Sequence, residues 1–179
     1  PTIRRENLCA YMRGMERLKP ESIWFGRDLG YRGGRRTGLA LTDEVHLPVI
    51  AKLLNEPTIQ KTTSGIIFAE RTASVIWQVI ERMPTLPFLW NIFPLHPHEP
   101  NDQLTNRTHT KSEVAEIWEI HIELFELIQP RRIVAIGNDA FNTLSRLGIE
   151  CCYVRHPSYG GQADFVNGMR ELFSHSDIS

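Results

Sequence analysis

Residues 22–38 read SIWFGRDLGYRGGRRTG, an apolar run of strand length that ends in a polar, glycine-rich loop. Apolar runs of similar length, each ending at a polar or glycine-containing loop, occur three more times along the chain. Short apolar runs bounded in this way predict buried strands of a parallel sheet. We predict strands at residues 22–26, 88–93, 132–137 and 151–155.

Amphipathic stretches of helix length alternate with these apolar runs, which is typical of helices that cover both faces of a parallel sheet. We therefore predict a three-layer α/β/α sandwich around a central, four-stranded, mainly parallel sheet, in one domain over residues 1–179. The predicted helices lie at residues 5–18, 43–54, 70–82, 112–128, 139–147 and 163–173.

The composition limits the classes of protein that fit this chain of 179 residues, of which 41% are hydrophobic and 23% are charged. No apolar run approaches the length of a membrane span and no apolar signal core follows the first charges, so we expect no membrane contact and a cytoplasmic location. Cys9, Cys151 and Cys152 form neither a disulfide nor a zinc pattern and are predicted to be buried, reduced thiols. The net charge of −1 argues against nonspecific coating of nucleic acid, although local charge can still bind it.

Ligands of open parallel sheets bind at the carboxyl ends of the strands, where three polar loops of this chain are predicted to lie. The first loop matches neither the GxGxxG nor the GxxxxGK[ST] pattern, so a dinucleotide or P-loop site is not expected. Its arginines instead concentrate positive charge that suits a phosphate backbone, although each could pair with a surface carboxylate. These arginines are Arg27, Arg32, Arg35 and Arg36.

The three loops, taken in order, resemble the motifs of the uracil-DNA glycosylase superfamily from about residue 22 to residue 165. GRDLGY at residues 26–31 is similar to the water-activating motif, which reads GQDPYH or GEAPG in other branches. WNIFPLHPHEP at residues 90–100, followed by NRT at 106–108, is similar to the asparagine-bearing strand end and the downstream Asn-Arg turn. HPS at residues 156–158 matches the motif with the leaving-group histidine.

The resemblance implies a monofunctional DNA glycosylase that uses water as its nucleophile. Asp28 would orient the water, Asn91 would hydrogen-bond the flipped-out base, and His156 would donate to the departing base. Cleavage of an N-glycosidic bond builds positive charge on the sugar and negative charge on the base, so a carboxylate and a hydrogen-bond donor suit these roles. Ser158 and Arg107 would hold DNA phosphates, and Tyr159 would enter the gap that the base leaves.

Two positions depart from the superfamily pattern, because Gly30 and Leu41 stand where relatives place aromatic rings against the base. In one interpretation, Tyr31 or Arg32 refills the space. In the other, the pocket admits a pyrimidine with a substituent at C5, such as a hypermodified phage cytosine. Uracil and C5-modified pyrimidines therefore remain alternative substrates.

Each motif residue also has a structural alternative: Asp28 could brace its turn, Asn91 could satisfy backbone groups, and His156 could belong to a proline turn. The order of the three motifs at three strand ends favours a shared site. A noncatalytic DNA-base-binding protein on the same fold is the alternative function. An unrelated nucleotide enzyme is a third class, and the lack of a phosphate-binding glycine motif disfavours it.

We expect DNA to be the partner, with no obligate protein partner and a monomeric chain, and we expect no cofactor and no metal. His96 and His98 lie in a proline-flanked loop, and with His109 nearby they show no clear ligand set. The three cysteines are too few for the iron-sulfur cluster of some relatives. Because no lysine stands close to the proposed base position, although Lys111 follows the second loop, lyase chemistry is not expected.

Overall fold

The computed structural model describes residues 2–174, which contain a four-stranded sheet with the order β2-β1-β3-β4. The strands are β1 (Ser22–Asp28), β2 (Phe88–Phe93), β3 (Arg132–Ile136) and β4 (Cys152–Val154). Every neighbouring pair in this sheet is parallel. All four predicted strands are therefore confirmed, and their carboxyl ends lie along one edge of the sheet.

Helices cover both faces of the sheet, which confirms the three-layer architecture. Consecutive residues of a strand point to opposite faces: Trp24 packs against Phe173 on one face, and Phe25 packs against Phe125 on the other. The helices are α1 (Thr2–Leu18), α2 (Gly34–Thr37), α3 (Leu47–Leu54), α4 (Arg71–Ile80), α5 (Lys111–Glu116), α6 (Trp118–Ile128), α7 (Asn138–Arg146) and α8 (Gln162–Ser174).

The core is built on β1 and β2, whose apolar residues are almost completely buried in one hydrophobic cluster. β2 lies at an edge of the sheet, where backbone groups need partners from outside it. The buried hydroxyl of Tyr11 in α1 fills this need, because it accepts a hydrogen bond from the Leu89 N–H at 2.6 Å and donates to the Leu89 carbonyl at 3.2 Å. Burial raises the pKa of Tyr11, so this hydroxyl keeps its proton.

Tertiary contacts shift several boundaries from their predicted positions. β1 extends beyond Gly26 to Asp28, which pairs with Phe93 of β2. The helix predicted from Asp43 begins only at Leu47, because the Asp43 carboxylate accepts hydrogen bonds from the backbone N–H groups of residues 45 and 46 and holds a turn there. The helix predicted over 112–128 is divided into α5 and α6 at Ile117.

The prediction of buried cysteines is wrong for Cys9, which is exposed on α1, while Cys151 and Cys152 are partly buried. Cys9 lies on the outer face of an amphipathic helix whose buried side carries Ala10 and Tyr11, so helix packing decides its exposure. None of the helices in residues 2–174 has the length and apolar character needed to cross a bilayer.

Candidate functional site

A cavity of about 470 Å³ lies at the carboxyl edge of the sheet. This volume falls within the range of about 300 to 1,000 Å³ that is usual for small-molecule sites. Seven of the site residues proposed from the sequence line it together: Arg27, Asp28, Gly30, Leu41, His156, Ser158 and Tyr159. The structure therefore brings the first and last predicted loops to one cavity.

Asp28 is the last residue of β1, and its side chain is only 6% exposed. The Nε atom of Arg27 donates to Asp28 Oδ2 at 2.7 Å, and the same guanidinium reaches Asp139 Oδ2 at 3.2 Å. On the other side, Nδ1 of His109 lies 3.5 Å from Asp28 Oδ2. Among the described residues Oδ1 of Asp28 makes no hydrogen bond, so this oxygen can accept one from a water molecule in the cavity.

His156 follows β4, and its ring is fixed by the residues of its own turn. Nδ1 accepts a hydrogen bond from the backbone N–H of Ser158 at 3.1 Å and lies 2.7 Å from the Ser158 hydroxyl. Because Nδ1 is an acceptor, the neutral ring carries its proton on Nε2. Burial, reinforced by the positive charge of Arg27, lowers the pKa of His156. The ring is thus held as a neutral donor at the cavity.

The close approach of Gly137 explains how His156 reaches this position. Gly137 joins β3 to α7 with a φ of +89°, a backbone conformation that favours glycine. A Cβ atom at residue 137 would stand 3.0 Å from Cβ of His156, which is tighter than nearly all real contacts. The turn between β3 and α7 therefore leaves space for the side chain of His156. The sequence of this turn does not itself predict a contact with a ligand.

Asn91 of β2 is fully buried and does not line the cavity; it lies behind the cavity wall. It pairs in register with Gly26, and its Oδ1 atom occupies the space that a Cβ at residue 26 would need. Cδ2 of Leu41, a residue of the cavity wall, stands 2.8 Å from the same point. In residues 2–174 neither Oδ1 nor Nδ2 of Asn91 has a hydrogen-bond partner. A buried amide without partners is costly, which makes Asn91 a candidate ligand group.

The side chain of Glu70 lies beside Gly30, where the sequence left open either free space or the bulk of Tyr31 or Arg32. Oε1 of Glu70 stands 3.2 Å from the position that a Cβ at residue 30 would take. Tyr31 and Arg32 do not fill the space and do not line the cavity; Nε of Arg32 donates to the Tyr31 hydroxyl at 2.8 Å. This side of the cavity is therefore polar.

The remaining arginines divide into two groups. Arg36 lies 3.3 Å from Glu44 and stacks over the Phe68 ring, and Arg107 makes two hydrogen bonds to Glu113. Those two guanidinium groups stabilise the fold, and neither side chain lines the cavity. Arg35 donates to the side chain of Gln103 at 2.8 Å at the surface. Arg32, in the same predicted loop as Arg35, is exposed.

Several residues of the site were not identified from the sequence. Glu70, Thr72, Asn106 and Asp139 line the cavity, and His109 contacts Asp28 from behind it. Asn106 accepts a hydrogen bond from the backbone N–H of residue 31 at 3.0 Å, so it links the second loop to the first. The NRT turn thus contributes its asparagine to the cavity, and its arginine points elsewhere.

The chain matches no protein-family model and no curated protein. His96 and His98 stack on each other in the second loop, and His109 packs against Phe93. Within the described part of the chain, no three His, Cys, Asp or Glu side chains are grouped as ligands of a metal ion. The functional groups that line the cavity include three carboxylates, a neutral imidazole and side-chain amides.

Proposed function

We propose that this chain is a monofunctional DNA glycosylase of the uracil-DNA glycosylase superfamily, which hydrolyses the N-glycosidic bond of a flipped-out pyrimidine. One observation carries the proposal: Asp28 and His156, from the ends of two different strands, line the same cavity. A carboxylate and a neutral imidazole donor are the two groups that this reaction needs at opposite ends of the breaking bond.

In the proposed reaction the C1′–N1 bond breaks first, and its electron pair leaves with the base. The Asp28 carboxylate stabilises the positive charge on the sugar and accepts a hydrogen bond from water at its free Oδ1 atom. The water oxygen bonds to C1′ and releases a proton to Asp28 or to solvent. Nε2–H of His156 donates to O2 of the base as negative charge develops there, and the released base then takes up a proton.

Asn91 is proposed to recognise the base edge, because an amide offers both an acceptor and donors to N3 and C4 of a pyrimidine. Its unpartnered Oδ1 and Nδ2 atoms support this role. Leu41 lies between this amide and the cavity, and its φ of +53° is strained for a leucine. A base that displaces the Leu41 side chain would reach the amide.

The exposed residues near the cavity support a DNA partner. Tyr159 lines the cavity, and its side chain is 98% exposed at a φ of +50°. An exposed aromatic ring of this kind suits stacking in the gap that a flipped base leaves. Arg32 of the first loop is exposed, where it would contact a phosphate. Ser158 offers its hydroxyl on the same loop as Tyr159.

The proposal is tested by incubating the protein with oligonucleotides that contain uracil, thymine, 5-hydroxymethylcytosine or glucosylated 5-hydroxymethylcytosine. Abasic sites are then measured by alkaline cleavage in the presence of a chelator. Excision of at least one base supports the proposal. Tight binding to a base-bearing strand without any excision would replace it with the base-binding alternative, and neither binding nor excision would refute both.

A further inference from the structure

The carboxyl group of Glu70 fills a recess that two glycines of the first loop leave. Its Oε1 atom stands 3.2 Å from the position of a Cβ at residue 30, and its Oε2 atom occupies the position of a Cβ at residue 33. Any larger residue at position 33 would displace the carboxyl group. The first loop is thus shaped to receive this side chain at the cavity wall.

No structural role in the described residues accounts for this carboxyl group. It makes no hydrogen bond and no ion pair within residues 2–174, and it does not cap the start of α4, which it precedes. The hydrogen bonds of Glu70 involve its backbone alone: its N–H donates to Asp43 at 2.6 Å, and its carbonyl oxygen accepts from the N–H and the hydroxyl of Ser74. Burial raises the pKa of Glu70 and the neighbouring Asp43 raises it further, against a smaller opposing effect of the positive charge of Arg32. A partly buried carboxyl group without a hydrogen-bond partner costs free energy, and a ligand that forms a hydrogen bond with it would offset this cost.

The proposed orientation of the base determines which ring atoms would face Glu70. N1 is attached to the sugar near Asp28, O2 points to His156, and N3 and C4 point to Asn91. The C5–C6 edge of the pyrimidine is the part that remains. Gly30 and Glu70 form a wall of the cavity that none of these contacts uses.

We propose that Glu70 is a specificity-determining residue, which hydrogen-bonds a hydroxyl group on the C5 substituent of the flipped pyrimidine. This inference rests on the proposed glycosylase function. A hydroxymethyl group, or a larger hydroxylated group built on it, gives the carboxyl group a hydrogen-bond partner. A methyl group at C5 would displace water from the carboxyl group without forming a hydrogen bond to it, so the site disfavours thymine and 5-methylcytosine.

Two substrate pairs test the inference, because each pair differs by a single hydroxyl group: thymine with 5-hydroxymethyluracil, and 5-methylcytosine with 5-hydroxymethylcytosine. Single-turnover excision is measured for all four bases and for uracil. The variants are Glu70→Ala and Glu70→Gln, with Glu81→Ala as the control, since Glu81 is an exposed carboxylate at the other end of α4. Thermal unfolding shows that each variant is folded.

We expect the wild-type protein to favour the hydroxymethyl base in at least one pair by about tenfold or more, as one hydrogen bond permits. Glu70→Ala should bring that ratio close to one, Glu70→Gln should keep part of it, and Glu81→Ala should keep all of it. If Glu70→Ala does not fold, Gly33→Ala takes its place with the same expected loss, because its Cβ displaces the carboxyl group.

A ratio near one in the wild-type protein, or an unchanged ratio without the carboxyl group, would overturn the role of Glu70. Excision of uracil in the same experiment would then leave the glycosylase proposal standing. If the wild-type protein excises none of the five bases, the inference fails, and the proposed function fails with it when glucosylated 5-hydroxymethylcytosine is also left intact.

Discussion

Two asparagines of this protein are fully buried, and their side chains differ completely in hydrogen bonding. Asn7 donates to the carbonyl oxygens of Thr37 and Gln60, each at 2.8 Å, and accepts from the Gln60 N–H at 2.9 Å. Asn91 makes no side-chain hydrogen bond to any described residue. A satisfied hydrogen bond contributes about 1 kcal/mol to stability, whereas a buried group without a partner costs about 1 to 3 kcal/mol.

The same substitution should therefore have opposite effects at these two positions. Asn91→Leu removes an unpartnered amide and should raise the free energy of unfolding by about 1 to 3 kcal/mol. For a chain of this size, that increase raises Tm by about 2 to 12 °C. Asn7→Leu breaks three hydrogen bonds and should lower the free energy of unfolding by about 3 kcal/mol or more. Asn91→Leu should also lose excision, because the base edge has no amide to bind.

Urea and thermal unfolding, followed by circular dichroism, measure both stability changes, and single-turnover excision measures the loss of function. A destabilisation by Asn91→Leu as large as that by Asn7→Leu would refute the reasoning, since it would mean that the Asn91 amide already supports the fold. Full excision by a stabilised Asn91→Leu protein would refute the ligand role alone.

Three further predictions follow from the structure. The pKa of His156 lies below its usual value of 6.5. The single-turnover rate should therefore stay constant above pH 6.5 and fall only at lower pH, where the ring becomes charged. A rate that rises on acidification would contradict the neutral-donor role. Arg32→Ala should weaken DNA binding and reduce the slope of log affinity against log salt concentration by about one unit. Arg107→Ala should leave this slope unchanged, because Arg107 pairs with Glu113. Equal slopes for both variants would argue against this division. Because the pKa of Glu70 is raised in the folded protein, its negative charge opposes folding at pH values above the usual pKa of 4.5. Glu70→Gln should therefore raise Tm near neutral pH and have little effect below pH 4.5. A lower Tm near neutral pH would indicate a structural partner.

The sheet could be predicted because each strand is a continuous apolar run, and burial on both faces requires such a run. The ends of the elements could not be predicted so well, since they depend on partners that are distant in sequence. Asp28 continues β1 only because Phe93 lies beside it in β2. Asp43 delays α3 because its carboxylate binds the backbone of the next turn and the N–H of Glu70.

The candidate site was predictable where a residue lies at the end of a strand, as Asp28 does, or shortly after it, as His156 does. Glu70 carries no such sign, because the sequence predicts it only as the first residue of a helix. Its place at the cavity depends on the recess beside Gly30 and Gly33, which only the folded loop creates. Arg107 is the opposite case. Its place in the motif-like NRT turn predicted a phosphate contact, whereas its side chain pairs with Glu113 of α5.

Single-turnover excision by Asp28→Asn tests the central claim most directly. Asp139→Asn is the matched control, because Asp139 also lines the cavity and accepts from the same guanidinium of Arg27. On the base that the wild-type protein excises best, Asp28→Asn should be slower by about a hundredfold or more, with its fold and DNA affinity retained. Asp139→Asn should stay close to the wild-type rate. Excision by Asp28→Asn at nearly the wild-type rate would contradict the claim that this carboxylate directs water to the sugar.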